Sequence, residues 1–192
     1  FGISPLAIWR NKKQDPLGSE SNSGQTSYDN LYCDTKLWVK NGWMDYIAPQ
    51  MYWSTDNLYA NYHKLLKWWN DETQENMHLY IGHALYKLAP GIRHSFKTTE
   101  LINQVKINRT NSRSQGSIYF RASAFQHNYQ NFQSKFRNSI YKYPAAVPTM
   151  PWIDNKPPKG PIRLHVKYSN SAIHLEWLPS RSFDPMDEAR YY

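Results

Sequence analysis

The chain has 192 residues, enough for one domain and part of a second. Its hydrophobic fraction of 40% permits a packed core, and no apolar run approaches the roughly 18 residues a membrane helix needs. The formal charge of +8 is concentrated between residues 87 and 142, where ten Lys/Arg face one acid, Glu100. Those charges are spread singly, as on solvated helix faces, so nucleic acid is not the expected partner. The single cysteine, Cys33, excludes an intrachain disulfide, and no Cys/His zinc spacing is present. No cofactor and no metal is expected. Cys33 itself reads as a small buried thiol on a helix. Aromatic residues make up 16%: eight Trp, fifteen Tyr and seven Phe. Such rings pack cores, and they also offer flat platforms to the C–H faces of sugars.

The first residues read as a buried strand running to Ile8, with no signal peptide, so the chain is expected to continue upstream. Residues 11–25 are polar, with Asp15, Pro16, Gly18 and Gly24, and form a long irregular loop. Ser27 is placed as an N-cap and Asp29 in the first turn of one helix that ends at Asn41 and Gly42. Its stripe is Leu31, Thr35, Trp38 and Val39. Residues 43–53 are nearly continuously apolar, as are strands buried on both faces of parallel sheets.

Ser54, Thr55 and Asp56 are placed at the start of the next helix, whose stripe is Leu58, Tyr62, Leu65, Leu66 and Trp69. Residues 77–86 read as a third strand and residues 98–108 as a helix with Leu101, Ile102 and Val105 inward. Residues 117–120 are a fourth strand, and residues 129–140 a last helix. Strand, loop and helix thus alternate four times, which implies a parallel sheet with helices outside. Half of a (β/α)8 barrel and a flavodoxin-like open sheet satisfy this pattern equally.

After Tyr143 the pattern changes. Residues 144–161 are a Pro-rich linker. Residues 162–168 and 172–177 alternate with period two around a Ser-Asn turn, and ARYY at residues 189–192 reads as a third strand. This resembles the opening of a fibronectin type III module.

Four stretches resemble the glycosyl-hydrolase-like 10 family of bacterial barrels. They are GISPLAIWRN (residues 2–11), YDNLYCDTKLWVKNGWMDYIAPQMYW (28–53), HLYIGHALYK (78–87) and INRTNSRSQGSIYF (107–120). The resemblance implies α/β class, with residues 1–143 as the C-terminal half of a (β/α)8 barrel carrying strands five to eight. Residues 144–161 then form a linker, and 162–192 a truncated fibronectin type III-like module. It also implies glycoside hydrolysis of bacterial glycan, with peptidoglycan strands as one candidate, and an exported or envelope location. The alternative is a barrel that binds carbohydrate without cleaving it. The family's acidic motif at the end of the fourth strand has no counterpart here. The catalytic carboxylates are therefore expected upstream of Phe1, and the missing N-terminal half of the barrel is the expected partner.

The chain's own acids agree with that. Asp45 lies early in its strand, Asp34 reads as mid-helix, and Asp29, Asp56 and Glu100 read as helix-start residues. Hydrolysis of a glycosidic bond needs two placed carboxyl groups, and none of these positions supplies a pair. At the strand ends, where barrel enzymes build their sites, the residues are instead polar and aromatic. The candidate substrate-binding set is Ser4, Trp9, Arg10, Gln50, Tyr52, Trp53, His83 and Tyr86. For His83, a buried hydrogen-bonded histidine is the competing reading. A half-barrel exposes two sheet edges and its inner face, so the isolated chain is expected to aggregate or dimerise.

Overall fold

In a computed structural model, residues 1–157 and 159–179 are described. They divide into two compact units, Phe1–Pro144 and a second beginning at Ala145. The first unit is mixed α/β around a four-stranded parallel sheet in the order β1 (Gly2–Ile3), β2 (Tyr46–Ile47), β3 (His78–Ala84), β4 (Ser114–Phe120). Single bridges Leu6–Gln50 and Gln50–Gly82 carry the parallel pairing past the short β1 and β2.

Register partners in a parallel sheet share a face. One face carries Ile3, Ile47, Leu79, Ile81 and His83. It is packed under helices: Ile47, Leu79, Ile81 and His83 are each 0% exposed. The opposite face carries Gly2, Tyr46, Tyr80, Ile118 and Phe120. Nothing among the described residues closes it; Ile118 and Phe120 are 41% and 52% exposed. At Gly2 on this face a Cβ would fall 2.3 Å from the Tyr46 ring, so any larger residue displaces that ring.

The segment after the long loop is two helices, α1 (Ser27–Leu31) and α2 (Thr35–Lys40), where one was expected. Tyr32 takes a left-handed conformation that closes α1, and Asp34 starts again as the cap of α2 by accepting from the Leu37 N–H at 3.1 Å. The cap of α1 is Thr26, not Ser27; its hydroxyl accepts from the Asp29 N–H at 3.2 Å. Cys33 therefore sits between helices, half-buried, with its thiol on the Leu31 carbonyl. Leu31, placed on the inward stripe, is exposed.

The next helix, α3 (Tyr62–Glu72), starts later than Ser54. Its cap is Asn61, whose side chain accepts from the Lys64 N–H at 3.2 Å. Residues 54–61 are a loop, which is why Leu58 is exposed and why Asp56 pairs with the Ser54 hydroxyl rather than with a helix start. From Tyr62 onward the expected stripe holds: Tyr62, Leu65, Leu66 and Trp69 are buried. Trp69 also donates its indole N–H to the Ala7 carbonyl at 2.8 Å.

α4 (Thr98–Arg109) follows its expectation, with Leu101 and Val105 in the core. An unforeseen helix, α5 (Ala122–His127), precedes the last one, and the helix expected over residues 129–140 is a single turn at Tyr129–Asn131 followed by α6 (Phe132–Arg137). Left-handed Asn128, Gln130 and Asn131 separate these pieces. No helix of the described residues is long and apolar enough to cross a membrane.

In the second unit, β5 (Ile162–Ser169) and β6 (Ala172–Leu178) form an antiparallel hairpin. Asn170 and Ser171 both have positive φ, as a two-residue turn between twisted strands requires. Val166 pairs with Leu175 and Tyr168 with Ile173, so apolar side chains share one face. The expected third strand at residues 189–192 lies outside the described residues.

Candidate functional site at the strand ends

The C-terminal ends of β2, β3 and β4 bring three rings together. Tyr52 meets Tyr86 edge-on with ring centres 6.1 Å apart, and Phe120 stacks on Tyr52 at 6.2 Å and meets Tyr86 edge-on at 6.0 Å. Tyr52 and Tyr86 were expected here; Phe120 was not. Burial pushes the Tyr52 phenol up to about 12, aided by the neighbouring Tyr86, so it stays a neutral hydrogen-bond donor at ordinary pH. Gln50 lies beside the strand ends as well. Its amide donates to the Ser4 backbone carbonyl at 2.8 Å, which joins two of the expected residues.

Trp53 turns into a separate cavity of about 760 Å³ that also contacts Lys87, Phe96, Lys97 and Glu100. Two bonds hold the loop after β2 in place. Lys87 donates to the Tyr52 carbonyl at 2.6 Å, and the Gln104 amide donates to the Trp53 carbonyl at 3.0 Å. Glu100 fixes the same loop by accepting from the Thr55 N–H at 2.7 Å and hydroxyl at 3.0 Å.

Three of the expected residues are committed elsewhere. Trp9 is buried among helices, donates to Asp34 at 3.0 Å and stacks on Trp68 at 6.4 Å. Arg10 is held by Asp29 at 2.9 Å and Asp15 at 3.2 Å, over the Tyr28 ring. The hydrogen bond to Asp29 raises the Arg10 pKa, and the same bond lowers that of Asp29. Arg10 therefore anchors the loop of residues 11–25 to α1.

His83 faces the helices rather than the strand ends. Its Nδ1 lies 3.1 Å from the Gln104 carbonyl oxygen, and its Nε2 lies 3.1 Å from both the Asn108 amide and the Ser117 hydroxyl. Those partners assign the neutral tautomer with the proton on Nδ1. Burial pulls its pKa from 6.5 down to about 4. In the unfolded chain the imidazole takes up a proton near pH 6.5, while folded His83 resists until about 4. Stability is therefore lost as pH falls through that window, by about 1.4 kcal/mol per unit and about 3 kcal/mol in all. Urea unfolding of the protein and its His83→Gln variant at pH 7 and pH 4.5 checks this. The natural protein should lose more stability than the variant, and parallel losses would reject it.

The described residues hold no cluster of metal-ligating side chains. Three of their acids are engaged by neighbours: Glu100 by Thr55 and Gln104, Asp29 by Arg10 and Thr26, and Asp34 by Trp9 and Leu37. The strand ends as described bring together the rings of Tyr52, Tyr86 and Phe120 with the amide of Gln50 nearby.

Residues 1–97 match the model of the family described as glycosyl hydrolase-like 10. The chain is 37% identical over 194 aligned residues to "Glycosyl hydrolase YngK" of Bacillus subtilis (strain 168), covering all of this chain and 38% of that protein. It is 41% identical over 128 residues to "Glycosyl hydrolase DigH" of Escherichia coli (strain K12), covering 63% of this chain and 29% of that protein. DigH of Shigella flexneri matches over the same extent. The chain thus spans 38% or less of the length of these curated relatives. With that family's model matched over more than half of its length, the chain belongs to the glycosyl hydrolase-like 10 family.

Proposed function

We propose that this chain is the C-terminal half of a (β/α)8 barrel glycoside hydrolase that acts on bacterial glycan, peptidoglycan strands being the first candidate. The observation that carries the proposal is the group formed by Tyr52, Tyr86 and Phe120 at the C-terminal ends of parallel strands. Ligand sites of barrels are built at those ends, and rings with a neighbouring amide are what sugar faces and hydroxyls take up. The open sheet face with Tyr46, Tyr80 and Ile118 fits a barrel interior that further strands complete. The relatives are long enough to hold those strands.

On this reading, residues 1–143 are barrel, 144–161 linker, and the β5–β6 hairpin opens a fibronectin type III-like module. The N-terminal half of the barrel supplies the catalytic carboxylates, one as proton donor and one as nucleophile or base. An exported or envelope location follows from the substrate.

A second reading is a barrel that holds glycan without cleaving it. It is favoured by the structural engagement of Glu100, Asp29 and Asp34. Incubation of the full-length protein with purified peptidoglycan strands separates the two. New reducing ends support hydrolysis, retention without new ends supports the binding barrel, and neither overturns both.

A further inference from the structure

His83 faces away from the strand ends, yet hydrogen bonds through Gln104 connect it to the loop that carries Tyr52 and Trp53. The direction of that chain of bonds is fixed at its loop end. The Gln104 side chain meets two acceptors there, the Trp53 carbonyl at 3.0 Å and the Glu100 carboxylate at 2.8 Å. Glu100 in turn accepts from the Thr55 N–H and hydroxyl. An amide can face two acceptors only with its NH2 end, so the Gln104 carbonyl oxygen points back at His83.

His83 then has to donate from Nδ1, across 3.1 Å, and to accept at Nε2. Asn108 donates to Nε2 from its NH2 end at 3.1 Å, which turns its own oxygen toward the Tyr62 phenol at 2.9 Å. Burial pushes the Tyr62 phenol up, so it keeps the proton that this last bond needs. The Ser117 hydroxyl, also 3.1 Å from Nε2, rotates to either role and does not set the direction. Turning any one amide or moving the imidazole proton sets donor against donor or acceptor against acceptor. Tyr62, His83 and Gln104 are 0% exposed and Asn108 is 2% exposed, so bulk solvent does not replace a lost partner.

We propose that His83 and Gln104 are positioning residues for the site at the strand ends. The Nδ1 proton of His83 orients the Gln104 amide, and the amide holds the loop that presents Tyr52 and Trp53. The effect on turnover rests on the reading given under the proposed function; the hold on the loop does not.

A neutron crystal structure of the full-length protein tests the direction. Deuterium is expected on His83 Nδ1 and on a Gln104 nitrogen that faces the Trp53 carbonyl. Deuterium on Nε2 alone, or the Gln104 oxygen facing that carbonyl, overturns the proposal. Gln104→Glu in the full-length protein tests the consequence, since it keeps the shape and puts an acceptor where the donor was. Hydrogen exchange at the Thr55 amide should become about tenfold faster. On peptidoglycan strands kcat/KM should fall about tenfold. Val105→Ala, in the core of the same helix but outside the chain of bonds, should lower stability and leave both quantities unchanged. Unchanged Thr55 exchange in a folded Gln104→Glu, or the same acceleration in Val105→Ala, overturns the proposal whatever the substrate. Faster exchange with unchanged kcat/KM overturns the positioning role. Faster exchange where the natural protein itself has no turnover upholds the hold on the loop and sinks the glycan reading. The neutron structure uses the natural protein alone, so it decides even where Gln104→Glu fails to fold.

Discussion

Trp69→Ala is expected to lower stability by about 3–5 kcal/mol, the range for removing a fully buried Trp. Trp69 is 0% exposed at the centre of the core shared by α3 and the sheet, among Ile8, Ile47, Leu65 and Leu79. Its loss leaves a void and also strips the Ala7 carbonyl of its indole donor. Ala7 lies in the stretch between β1 and the long loop, so the damage reaches the segment that carries Ser4 and Arg10. Trp69→Phe keeps most of the packing but not the hydrogen bond and should cost distinctly less. Denaturant unfolding of the three proteins measures the order. Near-equal stability of Trp69→Ala and the natural protein would mean that α3 does not pack against this sheet.

Tyr52→Ala is expected to cut kcat/KM of the full-length protein on its glycan by about 100-fold, equivalent to about 2.7 kcal/mol. The ring sits between Tyr86 and Phe120, so its removal takes away one platform and loosens the two that remain. Tyr52→Phe keeps the ring and loses only the phenol donor, and a loss of about tenfold is expected for one hydrogen bond. Gln50→Ala should fall near the same tenfold. Because Tyr52 and Gln50 are partly open, the thermal midpoints of these variants should stay close to that of the natural protein. Full turnover in a folded Tyr52→Ala would remove this ring from the site.

The sheet was legible from sequence because residues 43–53 and 77–86 are apolar runs bounded by polar loops, and because β-loop-α repeats imply parallel pairing. Its phase was not. Nothing in HLYIGHALYK tells which side His83 takes; the register with β4 places it with Tyr119, under α4. Trp9 has the same ambiguity, and the structure resolves it toward the helices.

The break between α1 and α2 was hidden because Leu31, Thr35, Trp38 and Val39 keep helical spacing across it. A local signal did exist. Thr26 stands three residues before Asp29, a capping-box pattern, and Asp34 stands three before Leu37, whose N–H it caps. Phe120 ends a strand whose sequence carries no polar site signal, although Ile118 and Phe120 alternate with Ser117 and Tyr119 as one open face requires.

A crystal structure of the full-length protein soaked with an amino-sugar oligosaccharide puts the whole reading at risk. Sugar rings should lie within about 4 Å of Tyr52, Tyr86 and Phe120, the distance of van der Waals contact. An oligosaccharide bound elsewhere, with those three rings buried under other strands, would contradict it.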